Sequence, residues 1–184
     1  LSLHGALPIS ATLTDPGNRL SNYTVTLNTG TLTVIQRALT VTPADKTKIY
    51  GDVFSAFTGT ITGIQNGDNI TATYASTGAP APATVGTYPI TVTLNDPGNV
   101  LSNYTVILNT GTLTVTQRAL VVTPDNQSKV FGTVFSAFTG TITGIQNGDN
   151  ITATYASTGA PAPAPVGTYP ITATLNDPGN KLPN

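Results

Sequence analysis

The chain has 184 residues, 39% of them hydrophobic, with 7 basic and 8 acidic side chains and no Cys. That balance suits a folded chain rather than a disordered one. It excludes disulfides, thiolate metal sites and a Cys nucleophile, and it offers no excess of positive charge to track a phosphate backbone.

All eight acids are Asp, and 36 residues are Thr. The mixture is poor in helix formers and rich in a β-branched side chain, so the predicted fold is mostly β. Residues 1–8, LSLHGALP, share only Gly5 and Pro8 with the stretch PATVGTYP at 82–89 that aligns with them. They resemble LSLHDALPI, a translated sequencing adaptor, and no function is read from them. From there the sequence repeats with a period of 81: Arg37 and Arg118, Gly51 and Gly132, Asp96 and Asp177 correspond, and residues 53–83 recur without change at 134–164. A period of 81 exceeds that of ordinary solenoid repeats and suits a small domain with its own core. The predicted organisation is the end of one repeat (1–37), a complete repeat (38–118) and a third copy (119–184) that stops before the counterpart of 104–118.

Within the complete repeat, alternation and β-branched content predict strands at 38–43, 59–63, 69–75, 87–94, 103–108 and 111–117. Asn/Asp/Pro/Gly clusters at 66–68 (NGD), 96–99 (DPGN) and 109–111 (NTG) predict turns. Only 63–68, GIQNGD, invites a short helical turn. The expected core is Leu39, Val41, Phe54, Phe57, Ile61, Ile70, Tyr74, Tyr88, Ile90, Val92, Tyr104, Val106, Leu113 and Val115. No Gly/Ser-rich or Pro-rich spacer separates the repeats at Gln117-Arg118-Ala119, so the array is expected to be a stiff rod. Apolar parity shifts from positions 32 and 34 to 39 and 41, as when a chain leaves one core for another.

The succession of YGD (50–52), NGD (66–68), VGTYPI (85–90), NYTV (103–106) and GTLTV (111–115) resembles the MBG-type repeat of large bacterial surface proteins, with the YDG-type repeat close to it. The resemblance covers nearly the whole chain. It implies tandem stalk modules of adhesins with small β-grasp-like or β-sandwich-like domains. In the third copy Phe131 and Thr133 stand in place of Tyr50 and Asp52, which argues against Asp52 as a required ligand or catalyst.

Candidate chemistry is sparse. The one His, His4, lies in the adaptor-like segment, so a Ser/His/Asp or metal–His arrangement has no dependable His. Asp68 and Asp149 in NGDN, and Asp15, Asp96 and Asp177 in DPGN, have oxygens suited to calcium. Each loop holds a single carboxylate, and turn formation is the reading taken. The loop 76–86, STGAPAPATVG, reads as a stiff polyproline-like loop rather than a recognition motif. Asn22, Asn69, Asn103 and Asn150 open Asn-x-Thr sequons, read as incidental. Tyr74, Tyr88 and Tyr104 could stack on sugars, but strand positions favour core packing. No phosphate-binding glycine motif precedes a helix, no apolar run approaches the roughly 20 residues of a membrane span, and an export signal would lie outside this stretch.

No catalytic, cofactor-binding or metal site is predicted, and no cofactor. The expected role is a non-enzymatic, extracellular stalk module of a bacterial cell-surface adhesin, projecting a distal domain and bearing tension. Its expected partners are neighbouring repeats; the 184-residue chain by itself is expected either to fray in its third repeat or to donate residues 22–36 of one molecule head-to-tail to 119–184 of another. Nucleic acid and membrane insertion are not expected. A carbohydrate- or host-protein-binding module and an accessory domain of a secreted enzyme are the alternatives.

Overall fold

The computed structural model describes residues 7–183, so His4 lies outside the described residues. The strands are β1 (Leu7–Ile9), β2 (Gly30–Leu32), β3 (Arg37–Pro43), β4 (Lys46–Ile49), β5 (Gly59–Thr62), β6 (Thr71–Ala75), β7 (Gly86–Asn95), β8 (Tyr104–Leu108), β9 (Gly111–Thr116), β10 (Val121–Pro124), β11 (Gly140–Thr143), β12 (Thr152–Ala156) and β13 (Thr172–Asn176). Two 3-10 turns, Leu20–Asn22 and Leu101–Asn103, are the only helical elements among the described residues. The fold is mostly β, as the Thr-rich alternation predicts.

The strands form several small sheets. One has the order β5-β3-β8, another β4-β9-β7-β6, and the pairs β1-β2, β10-β11 and β12-β13 stand as two-stranded sheets. β8 runs parallel to β3, with Leu39 opposite Val106, and β9 runs parallel to β4, with Lys48 opposite Val115. β7 returns antiparallel on β9, placing Tyr88 opposite Leu113 and Ile90 opposite Gly111.

The described residues divide into two compact units. The first holds the leading segment through Val41, Ile61–Ala72 and Leu94–Leu108. Its core is Leu39, Ile70 and Tyr104, flanked by Ile61, Ile64, Leu94, Val100 and Leu101. The second holds Thr42–Thr60, Thr73–Thr93 and the chain from Asn109 onward. There Ile90, Leu113 and Val115 are sealed from solvent, each contributing ~1.5–3 kcal/mol by leaving water. β9 shows why: its period-2 pattern turns Gly111, Leu113 and Val115 inward. Gly111 needs no special backbone angle. A Cβ on it would meet Pro43 Cβ at 2.9 Å, so close packing rather than turn geometry requires glycine in this NTG cluster.

Two expectations need correction. Val106 is exposed, because β8 is an edge strand and alternation alone does not say which of its faces is covered. The stretch 63–68 contains no helix. Asn66 and Gly67 have φ of 57° and 73°, the paired left-handed conformation of a tight turn, which a right-handed helix excludes. The helical turns fall instead on LSN. At Leu101–Asn103 the carboxylate of Asp96 accepts the N–H groups of Val100 and Leu101 at 3.1 and 2.9 Å, satisfying donors that open a helical turn. Phe54, Phe57, Ile61, Tyr74, Tyr88 and Val92 are half-buried, and Tyr50, read only as part of a motif, is buried.

Candidate functional site: the loops and the repeat junction

The loop 76–86 is held by one lysine. Lys48, on β4, is 6% exposed. Its ammonium donates to the carbonyls of Asp52 at 3.0 Å, Ala79 at 3.3 Å and Pro80. An ammonium has three donors, and all three are spent on backbone. Burial lowers the Lys48 pKa from its ordinary value, and the nearby Asp52 charge partly opposes this. The third copy repeats the arrangement: Lys129 donates to the carbonyls of Thr133, Ala160 and Pro161 at 2.9, 3.2 and 2.5 Å. Neither this strand nor its lysine is among the expectations from the sequence. A signal was present, since between 44 and 52 only Lys48 and Gly51 recur in the third copy, as Lys129 and Gly132.

The aspartates of the DPGN clusters serve their own turns. Asp15 accepts from the N–H of Leu20 at 2.7 Å, and Asp177 from that of Leu182 at 2.7 Å. Backbone N–H groups, led by Arg19 for Asp15 and Lys181 for Asp177, hold both carboxyls below the usual carboxylate value. Asp68 accepts the Tyr104 hydroxyl at 2.5 Å, and that bond holds the phenol's pKa above its ordinary value. The same hydroxyl accepts the N–H of Gln65 at 3.0 Å. Among the described residues no three His, Cys, Asp or Glu side chains gather. Melting the chain with excess chelator and then with excess calcium should therefore give one midpoint. A cation held only by the folded state at 100 times its Kd would add ~2.7 kcal/mol and move the midpoint by several degrees; a shift of that size would return the Asp68 and Asp96 turns to cation binding.

The tyrosines are also engaged. Tyr88 donates to the Thr84 carbonyl at 2.9 Å and packs its ring against Gly78, and Tyr74 packs against Gly59. Phe54 and Phe57 meet edge to face at 4.9 Å, as do Phe135 and Phe138 in the third copy. The sequon residues Asn22, Asn69, Asn103 and Asn150 are exposed.

The third copy carries a cleft of about 660 Å³ lined by Pro124, Lys129, Phe135, Phe138, Tyr169 and Ile171, among others. Its volume is in the range of ligand pockets, but its counterpart in the complete repeat seats a strand. There Lys48, Tyr88 and Ile90 are ladder partners of Val115, Leu113 and Gly111, and Pro43 closes on Gly111. In the third copy the strand corresponding to β7 is only Thr172–Asn176, because a strand extends only as far as it finds partners.

Where repeat 38–118 meets 119–183, the YGD stretch has a defined occupant. The Tyr50 hydroxyl donates to Asp149 at 2.8 Å. Arg118 donates through Nε to the Tyr50 carbonyl at 2.7 Å and pairs with the Asp52 carboxylate. The Asn147 side chain donates to the Ala81 carbonyl at 3.3 Å.

The model of the MBG domain (YGX type) matches residues 39–114 and 120–180. The chain belongs to the MBG domain family. No curated protein and no solved structure matches it. The family description leaves the third position of the YG stretch open; this MBG chain has Asp52 there in one copy and Thr133 in the next. No helix among the described residues is long and apolar enough to cross a membrane.

Proposed function

We propose that these MBG repeats are a non-catalytic spacer, the stalk of a bacterial surface adhesin that holds a distal binding domain away from the cell and bears tension. One observation carries this reading: the same loop architecture is built twice, and in both copies a lysine and a tyrosine of the same repeat tie the loop down. Lys48 and Lys129 each bind three backbone carbonyls, and Tyr88 and Tyr169 each tie back to the residue four positions earlier. A spacer needs units that fold and can be added in number, and such self-contained loops meet that need. On this reading the segment lies outside the cell. Its partners on this reading are neighbouring repeats.

Small-angle scattering of chains with increasing numbers of complete repeats tests the role. The maximum dimension is expected to rise nearly in proportion to repeat number. Growth near the square root of repeat number, the scaling of a flexible chain, would rule out a stalk that transmits length.

A further inference from the structure

We propose that the Tyr50-Gly51-Asp52 stretch is a docking surface for the Gln-Asn-Gly-Asp turn of the following repeat, and that the third copy's Phe131-Gly132-Thr133 has lost most of this hold. The occupant is thus a second MBG repeat bearing that turn. Tyr50 is 5% exposed, and Ile151, just beyond the turn it meets, is 8% exposed. Burying a phenol without a partner is costly, and here the partner is a carboxylate 99 residues away in sequence.

Each residue of the stretch has its own part. Tyr50 supplies the hydroxyl for Asp149. Gly51, at φ +88°, lets Gln146 come so close that a Cβ would lie 2.4 Å from Gln146 Cγ. Asp52 anchors Arg118, which in turn holds the Tyr50 carbonyl. Thus the backbone of Tyr50 is held by the last residue of its own repeat.

The junction also recurs at the repeat period. Gln36 donates to the Ser102 carbonyl at 2.9 Å, and 81 residues later Gln117 donates to the Pro183 carbonyl at 3.1 Å. Two successive boundaries therefore use the same contact, as a repeated interface should. In the third copy the exchange of Tyr for Phe removes the hydroxyl, and Thr133 removes the acid that pairs with the arginine. Successive junctions would then differ in strength according to whether YGD or FGT faces the next turn. Such a junction would serve a binding array as well as a spacer.

Hydrogen exchange on the 184-residue chain tests the docking with Tyr50→Phe, Asp149→Ala and the double variant. Phe131 occupies the position of Tyr50 in the third copy, so Tyr50→Phe should fold. The amides of Asp149 and Ile151, which bond the carbonyls of Gln146 and Asp149, should exchange about tenfold faster in Tyr50→Phe, equivalent to ~1.4 kcal/mol. That matches the low end for a hydrogen bond to a charged group. Adding Tyr50→Phe to Asp149→Ala should change nothing further, and the equivalent amides of Asp68 and Ile70 should be unaffected. Unchanged exchange at 149 and 151 in Tyr50→Phe overturns the proposal. So does an equal acceleration by Tyr50→Phe with Asp149 already replaced, since the hydroxyl would then act on something other than that carboxylate.

Discussion

Replacing Lys48 with Met should lower the melting midpoint of the unit that holds β4, β7 and β9 by about 10 °C or more. Methionine keeps most of the side chain's length and apolar contact, so the change isolates the ammonium. Its loss leaves the carbonyls of Asp52, Ala79 and Pro80 without the donor they share. Buried acceptors left unpaired cost ~1–3 kcal/mol, and hydrogen bonds to a charged group contribute ~1.5–3 kcal/mol. A net loss of ~2–3 kcal/mol translates to about 4–8 °C per kcal/mol in a domain of this size. Lys46→Met provides the control: the third copy has Gln127 at the matching position, so a surface-scale effect within ~0.5 kcal/mol is expected. Thermal melts followed by circular dichroism distinguish the two. If Lys48→Met melts with the unaltered chain, the loop is held by its Ala/Pro sequence and not by the lysine.

The sequence showed most of the scaffold because Thr/apolar alternation is a local signal. The strand expected at 38–43 is found at 37–43, that at 87–94 spans 86–95, and that at 111–117 ends one residue early. Leu39, Val41, Ile70, Ile90, Tyr104, Leu113 and Val115 are buried as expected. What stayed hidden depends on distant partners. β4 presents Lys-Thr-Lys-Ile, and nothing local says that carbonyls from a loop about thirty residues away will surround one of its lysines. Tyr50 reads as half of a motif, while its burial comes from a turn in the following repeat. The NGD and DPGN turns were legible because Asn at positive φ is a one-residue preference. That Asp68 would serve Tyr104, and Asp149 would serve Tyr50, required the pairing of strands and repeats.

Dissolved as 184 residues, the chain is expected to associate head-to-tail, with light scattering showing a mass that rises with concentration. The acceptor is the third copy's cleft, whose equivalent in the complete repeat receives β9 between β4 and β7. The donor is the leading segment. Its residues 22–36, NYTVTLNTGTLTVIQ, differ from 103–117 only by Thr26 for Ile107 and Ile35 for Thr116, and Leu32, Val34 and Ile35 are exposed there. An apolar strand with uncovered side chains is a template for addition to another sheet. Seating it would bury the counterparts of Leu113 and Val115, at ~1.5–3 kcal/mol each, together with ladder hydrogen bonds. Because donor and acceptor are different surfaces, the contact is heterologous and closes into rings or grows into filaments. Removing residues 1–37 should return a monomer, and a synthetic peptide of residues 103–117 should dissolve the assemblies of the full chain by occupying the cleft first. Association that survives the deletion would exclude strand donation. So would a monomeric full chain whose amides at 168, 169 and 171 are already protected, because the cleft would then need no strand from elsewhere.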